Sequence, residues 1–298
     1  EELENASGKQ AGRDFGLVQL TNDVILVTTL SDIADPHDGL LSLREAIALA
    51  AATPGDNVIS FDAALFNGSP QTLALTQGPL EYRADLSSPD EGELVIDGPG
   101  NELLTLISQT RSSLFRIIQS TLTISGMTFS DTRATSAGAV IDLRGGNLAT
   151  SNCVFLANQA LNNGGAIAAM GESTLVATNC SFLGNLANKN GGAIHNEQGN
   201  VVLDQCMFTG NSARGDGGAI YNLSGAISIF SSTFTNNSAK KAGGAIYNAT
   251  GAIYLEDCAF DNNSAARDGG AIFNASGTIT TDSSDFAGNS TSKTGGAI

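Results

Sequence analysis

Residues 243–268 read GGAIYNATGAIYLEDCAFDNNSAARD, and residue 269 begins the same phrase again. Gly-Gly-Ala-Ile starts at Gly164, Gly191, Gly217, Gly243, Gly269 and Gly295, a spacing of 27 residues and then of 26 four times. Phe-x-x-Asn keeps the same register, at Phe155/Asn158, Phe182/Asn185, Phe208/Asn211, Phe234/Asn237, Phe260/Asn263 and Phe286/Asn289. A fixed period of this length marks a solenoid, in which each repeat is one small unit stacked on the next. Within the repeat, Ile253 and Leu255 alternate with Tyr254 and Glu256, and Cys258 and Phe260 continue with shifted parity. A bend therefore lies near Glu256-Asp257. Ala271-Ile272-Phe273-Asn274 adds a third brief strand, with turn-forming Gly, Asn, Asp and Ser between strands and no room for a crossover helix. Three strands in a repeat of 26 residues predict one coil of a right-handed parallel β-helix, each strand bonded to its equivalent about 4.8 Å along the axis.

Repetition is then a requirement, because a lone coil buries too little apolar surface to offset the entropy of ordering its backbone. The glycines of Gly-Gly-Ala-Ile are expected at tight corners where a Cβ would meet the stack. Asn158, Asn185, Asn211, Asn237, Asn263 and Asn289 are expected to form an inward ladder of amides bonded along the stack and to turn carbonyls. Cys153, Cys180, Cys206 and Cys258 each stand two before the Phe, with Ser232 and Ser284 at the same place in other repeats. They read as interchangeable small core residues; a disulfide between adjacent coils is within reach, but in-register stacking points the Cβ atoms the same way and favours free thiols. Their spacing matches neither zinc nor CxxC redox motifs.

Composition agrees. Trp is absent, aromatics are 6% and the 35 glycines carry no G-X-Y period, which suits thin stacked coils and excludes collagen. The formal charge of −16 repels phosphate backbones and anionic membranes, so nucleic acid is not an expected partner. No apolar run approaches the roughly 18 residues of a membrane helix, and Glu1-Glu2-Leu3-Glu4 does not open like a signal peptide.

Upstream the array decays, through Ala137-Gly138-Ala139-Val140 and Phe129, into a region assigned to residues 1–125, with regular repeats over 126–298. Val24–Val27, Asn57–Phe61 and Leu94–Asp97 read as strands of irregular first coils. Ser42 and Glu45 form a capping box, Leu43, Ala46, Ile47 and Ala50 share one face, and Thr53-Pro54-Gly55 ends the segment. A short amphipathic helix over 42–52 follows, suited to covering the exposed first coil, with Arg44 as a structural ion-pair or capping residue.

The paired Gly-Gly-Ala-Ile and Phe-x-x-Asn repeats resemble those of chlamydial-type polymorphic outer-membrane proteins over residues 150–298. Asp38-Gly39-Leu40-Leu41-Ser42-Leu43-Arg44-Glu45-Ala46-Ile47 resembles the CSLREAI motif of bacterial β-helix surface proteins, with Leu41 in place of its Cys. The resemblance implies an extracellular or outer-membrane-associated surface protein, adhesin-like or matrix-forming. Host or neighbouring-cell surfaces, extracellular glycans and other copies of itself are its expected partners.

Three outward columns carry the candidate chemistry. Lys189, Arg214, Lys240, Lys241, Arg267 and Lys293 precede Gly-Gly and stack into a basic ridge, with Arg133 expected in the same loop one coil earlier; either a solvated loop simply tolerates them, or they bind anionic glycans. His195, Tyr221, Tyr247 and Phe273 follow the Ile and either stack ring on ring or offer their faces to sugars. Asp204, Phe230, Glu256 and Asp282 form an acidic column in which Glu256 and Asp282 stand roughly 5 Å apart, near the separation of retaining-glycosidase carboxylates. A polysaccharide lyase or glycoside hydrolase is therefore the alternative to a non-catalytic surface protein. No catalytic residue, metal or cofactor site is assigned, and a weak surface Ca²⁺ site is the most that the acids suggest. Arg214-Gly215-Asp216 spells an integrin-recognition tripeptide within ordinary loop composition. The break at Ile298, part-way through a repeat, is expected to continue in a longer chain or to be covered by a stacked copy.

Overall fold

The computed structural model describes residues 24–83 and 92–298; the acidic start at Glu1 to Glu4 lies outside them. Three parallel sheets wrap one core. The first, of 15 strands among the described residues, runs from Val24–Val27 through Asn57–Phe61, Leu94–Asp97, Phe115–Ser125, Ile141–Ser151 and Ile167–Thr178 to Ile272–Asn274 and Thr278–Asp282. The second has nine strands and carries each Phe of Phe-x-x-Asn, as in Phe155↔Phe182 and Phe234↔Phe260. A third, of seven strands only two residues long, holds pairs such as Ser238-Ala239 and Ser264-Ala265. The expected strands at 24–27, 57–61 and 94–97 have the observed bounds. The sheets and core continue without a break through residue 126.

Each coil thus has three faces but four short strands, because the strand after Gly-Gly-Ala and the following apolar strand share the first sheet. Phe115–Ser125, Ile141–Ser151 and Ile167–Thr178 run unbroken through both segments. From Ile194 onward the strand splits. The column explains this, since Ala169 pairs with Asn196, and Asn196, Asn222, Asn248 and Asn274 follow. Each of these amides donates to a glycine carbonyl three residues on, as in Asn196 to Gly199 at 2.8 Å and Asn248 to Gly251 at 2.7 Å, and so folds the backbone into a turn. It also donates to the next Asn, 2.8 Å from Asn196 to Asn222. Sequence inspection missed this second ladder, although the phrase Gly-Gly-Ala-Ile-x-Asn repeats four times at the same spacing.

The expected ladder is present. Asn237 Nδ2 donates to Phe208 O at 2.9 Å and to Asn263 Oδ1 at 2.9 Å, while its Oδ1 accepts the Asn211 backbone N–H at 3.0 Å. Below it the Phe rings stack at centroid distances of 4.6–4.8 Å from Phe155 to Phe286. Left-handed backbone closes both corners, at Asp257 (φ 53°), where the bend was expected, and at Asn262 (φ 55°). The four cysteines are buried and free, and burial pushes the Cys206 thiol up to about 12.

The helix Leu43–Ala51 has Ser42 as its N-cap, with Glu45 completing the capping box. Leu43, Ala46, Ile47 and Ala50 are buried in the common core, against Val24–Val27, Asn57–Phe61 and Leu80–Arg83. Arg44 is structural: it pairs with Asp32 at 2.8 Å and donates to the carbonyls of Gly78 and Pro79 at 2.9 and 3.0 Å. It ties the helix to the first coils.

Candidate functional site

The cations before Gly-Gly do form a ridge. Backbone hydrogen bonds link one coil to the next at the same loop position, from Gly215 N to Lys189 O (2.7 Å), Lys241 to Gly215 (3.0 Å), Arg267 to Lys241 (2.8 Å) and Lys293 to Arg267 (3.1 Å). Arg214 and Lys240 extend from the neighbouring position, and all six side chains are exposed. Lys241 lies 3.8 Å from Asp216; among the described residues the other five make no ion pair. Asp216 and Asp268 are interleaved beside them, but Asp216 accepts the Ala242 N–H at 3.0 Å and Asp268 accepts the Thr294 hydroxyl at 2.6 Å, so both carboxylates serve the loop stack. With Asp216 engaged and its side chain 17% exposed, Arg214-Gly215-Asp216 is a piece of that stack rather than a protruding tripeptide.

Two positions change. Arg133 is not in the ridge loop; it pairs with Gln159 in the third sheet, at the place taken by Ser212, Ser238, Ser264 and Ser290 in later coils. Arg111 instead joins the ridge end, its carbonyl accepting the Thr135 N–H at 3.1 Å. The degenerate N-terminal copies hid this shift, because they lack the Gly-Gly phrase that sets the register.

The aromatic column stacks on itself. Ring centroids are 5.1 Å apart from His195 to Tyr221, 5.0 Å to Tyr247 and 5.3 Å to Phe273, with interplanar angles of 11°, 4° and 27°. Ring faces between neighbours are therefore occupied, which leaves edges and not faces for a sugar. His195, expected outward, is on the outer side of its strand but only 4% exposed. Toward the N-terminus the same column becomes ionic: Arg116 bonds Glu81 at 2.6 Å, and buried Asp142 is gripped by Arg144 at 2.8 Å. No repeat phrase marks these residues.

Burial lowers the His195 pKa to about 4 from an ordinary 6.5, against a smaller opposing pull from Glu197. The unfolded chain therefore takes up the proton first as pH falls. Stability from neutral His195 is complete above about pH 6.5 and lost on descent toward pH 4, on the order of 3 kcal/mol. Urea denaturation at pH 7 and pH 4.5 should show His195→Phe, which keeps a ring in the stack, losing less stability on acidification than the parent. Equal losses would mean His195 is not the titrating group.

The acidic column keeps its register, Asp204↔Phe230↔Glu256↔Asp282, with Tyr254 donating its hydroxyl to Glu256 at 2.9 Å. Among the described residues no cluster of three or more His, Cys, Asp or Glu side chains could hold a metal ion. No helix among them is long and apolar enough to cross a membrane.

Residues 104–264 match the family described as the right handed beta helix region. The chain belongs to that family. Residues 257–275 also match the Chlamydia polymorphic membrane protein repeat, a 19-residue window spanning Phe260, Asn263 and Gly269-Gly270-Ala271-Ile272. No curated protein matches. Of solved structures, ORF18 of Geobacillus virus E2 is similar at 12% identity and a TM-score of 0.42, over 90% of this chain and 60% of that one. The PL6 family alginate lyase AlyGC is similar at 13% identity and a TM-score of 0.35, over 82% of this chain and 38% of that one. The chain thus spans less than two thirds of either.

Proposed function

We propose that this β-helix is a non-catalytic, extracellular or cell-surface protein, adhesin-like or matrix-forming, whose basic ridge binds anionic glycans. The observation that carries the reading is the stack of exposed cations at one-coil spacing, five of the six without an acidic partner among the described residues, on a chain of net charge −16. A molecule so acidic gains nothing in solubility from a cationic stripe, and like charges one strand apart repel unless something negative lies across them. Each contact is weak and screened by salt, so a polymer that engages many of them at once is the fitting ligand.

Affinity for acidic glycans on an array should rise with chain length and fall at least about tenfold between low and physiological salt. Replacing Arg214, Lys241, Arg267 and Lys293 by Ser should abolish binding while circular dichroism stays that of the parent. Unchanged binding would remove the ridge from consideration.

A catalytic reading has one observation in its favour, the Glu256↔Asp282 pair standing side by side in the first sheet. No Lys or Arg adjoins that pair in the column to stabilise a uronate carboxylate, and Tyr254 is already bonded to Glu256. Pectin and alginate are expected to remain intact on incubation, with or without Ca²⁺. Turnover that disappears in Glu256→Gln or Asp282→Asn with the fold preserved would replace the adhesin reading by an enzyme.

A further inference from the structure

Beside the ridge runs the outer face of the third sheet, where one residue per coil points away from the core: Arg133, Gln159, Leu186, Ser212, Ser238, Ser264 and Ser290. Their strand neighbours Ala134, Ala160, Ala187, Ala213, Ala239 and Ala265 are buried. Two hollows lie on this one face. One, of about 220 Å³, is bordered by Arg111, Arg133, Thr135, Gln159 and Leu161. The other, of about 340 Å³, is bordered by Ser238, Ser264, Ser290, Ser292 and Lys240.

We propose that this face is a trough in which a linear acidic polysaccharide lies parallel to the solenoid axis, its carboxylates toward the ridge and its hydroxyls toward the sheet. The inference rests on the ridge reading and adds the bed, the orientation and the saccharide character of the ligand. Three observations point to it. Arg111 and Arg133 share one hollow, and among the described residues neither forms an ion pair, so two guanidinium groups stand ready for a carboxylate. At the other end Lys240 of the ridge borders the hollow directly, joining the cationic edge to the floor. The hydroxyls of Ser264 and Ser290 have no partner among the described residues, unlike Ser238, which bonds Ser212 at 3.2 Å. Free hydroxyls and a Gln amide answer sugar hydroxyls as they would not answer a simple polyanion.

Packing does not demand serine at these positions. Leu186 occupies the same column, directly opposite Ser212, so a large side chain is accommodated by the fold; Leu186 forms a step between the two hollows that the polymer passes over, whereas Ser264→Leu would fill the second hollow itself. From Arg133 to Ser290 the floor covers six coil steps, roughly 29 Å at 4.8 Å per step. Affinity should therefore climb with oligomer length until the ligand spans about that distance and then level off.

Polygalacturonate oligomers and inorganic polyphosphate chains of matched charge, titrated calorimetrically, separate this trough from the ridge alone. The parent should bind both. Ser264→Leu, which changes no charge, should weaken polygalacturonate at least tenfold and leave polyphosphate unaffected, whereas the four-fold Ser replacement on the ridge should lose both. Arg111→Ser with Arg133→Ser should remove the gain seen with the longest oligomers and spare short ones. Parental affinity of Ser264→Leu for polygalacturonate overturns the trough and leaves the ridge standing; failure of the parent to bind either polymer overturns both.

Discussion

Gly218→Val is expected to destroy cooperative folding of the central coils, with a cost of about 5 kcal/mol or more. A Cβ at Gly218 would stand 1.9 Å from Gly244 O and 2.6 Å from Ser238 N, both backbone atoms of the next coil. No rotamer relieves a backbone clash, so the coils must part. Parting them breaks Gly218 N to Gly243 O (3.0 Å) and strains Ala219 N to Ala245 O (2.8 Å), and the damage passes along a stack whose stability resides in its interfaces. Gly210 is the control. Its φ is +66° but nothing lies within 4 Å of its Cβ position, and its equivalents in the next coils are Asn236 and Asn262 at φ 56° and 55°. Gly210→Asn should therefore cost less than about 1 kcal/mol, since Asn tolerates the left-handed region. Thermal melts of the two variants make the comparison directly; a Gly218→Val melt indistinguishable from that of Gly210→Asn would mean that the coils can part at this corner without loss of stability.

This contrast also shows what made the fold legible. Gly-Gly-Ala-Ile and Phe-x-x-Asn recur because every coil meets the same two neighbours, so a steric or hydrogen-bonding demand at one position is written into each repeat. Self-comparison therefore recovered the period, the bend at Asp257 and the inward Asn column. The extra two-residue strands of the third sheet escaped because Ser-Ala carries no apolar alternation to detect. The second Asn ladder was not legible because an Asn at the end of a short strand, just before a turn, is ordinary turn composition and does not by itself mark an inward side chain.

The candidate site was less legible for a related reason. A ridge is a property of side chains exposed to solvent, and there the only pressure on residue type comes from a ligand or from solubility, so the pattern is partial: Lys189, Gly215, Lys241, Arg267 and Lys293 share a column in which one member is glycine. Arg111 and Arg133 lie where the repeat has decayed, and no spacing argument could assign one to the ridge and the other to the sheet. His195 is a different case. Alternation correctly put it on the outer side of its strand, but alternation says nothing of what lies over that side, and there the Tyr221 ring covers one face.

Asn237→Ala is expected to cost about 3–6 kcal/mol, far more than an average surface change, because the ladder satisfies backbone groups that water cannot reach. Asn237 is fully buried. Its loss takes the side-chain partner from the Phe208 carbonyl (2.9 Å) and the Asn211 N–H (3.0 Å), and removes one of two bonds each from the Asn211 amide, which still reaches Phe182 O, and from Asn263 Oδ1, which still accepts the N–H of residue 237. A buried donor or acceptor left without a partner costs about 1–3 kcal/mol, and Ala leaves an enclosed void that does not admit enough water to serve both the Phe208 carbonyl and the Asn211 N–H. Asn237→Asp would not rescue: an ionised side chain loses the two donors that reach Phe208 and Asn263 and brings an unpaired charge into the core. In the 1–298 chain, where Asn289 is only half-buried, the same replacement there should cost about 1 kcal/mol, since solvent can take over its bonds to Phe260 and Asn263. Guanidinium denaturation of the two alanine variants gives the comparison, and hydrogen exchange locates it. In Asn237→Ala the amides of Asn211 and Ser238 should lose protection first, with the effect spreading to both adjoining coils, whereas in Asn289→Ala it should stay within the last coil. Equal costs at the two positions would show that the ladder contributes side-chain packing alone, because only an unmet hydrogen-bonding demand depends on how far each rung lies from water.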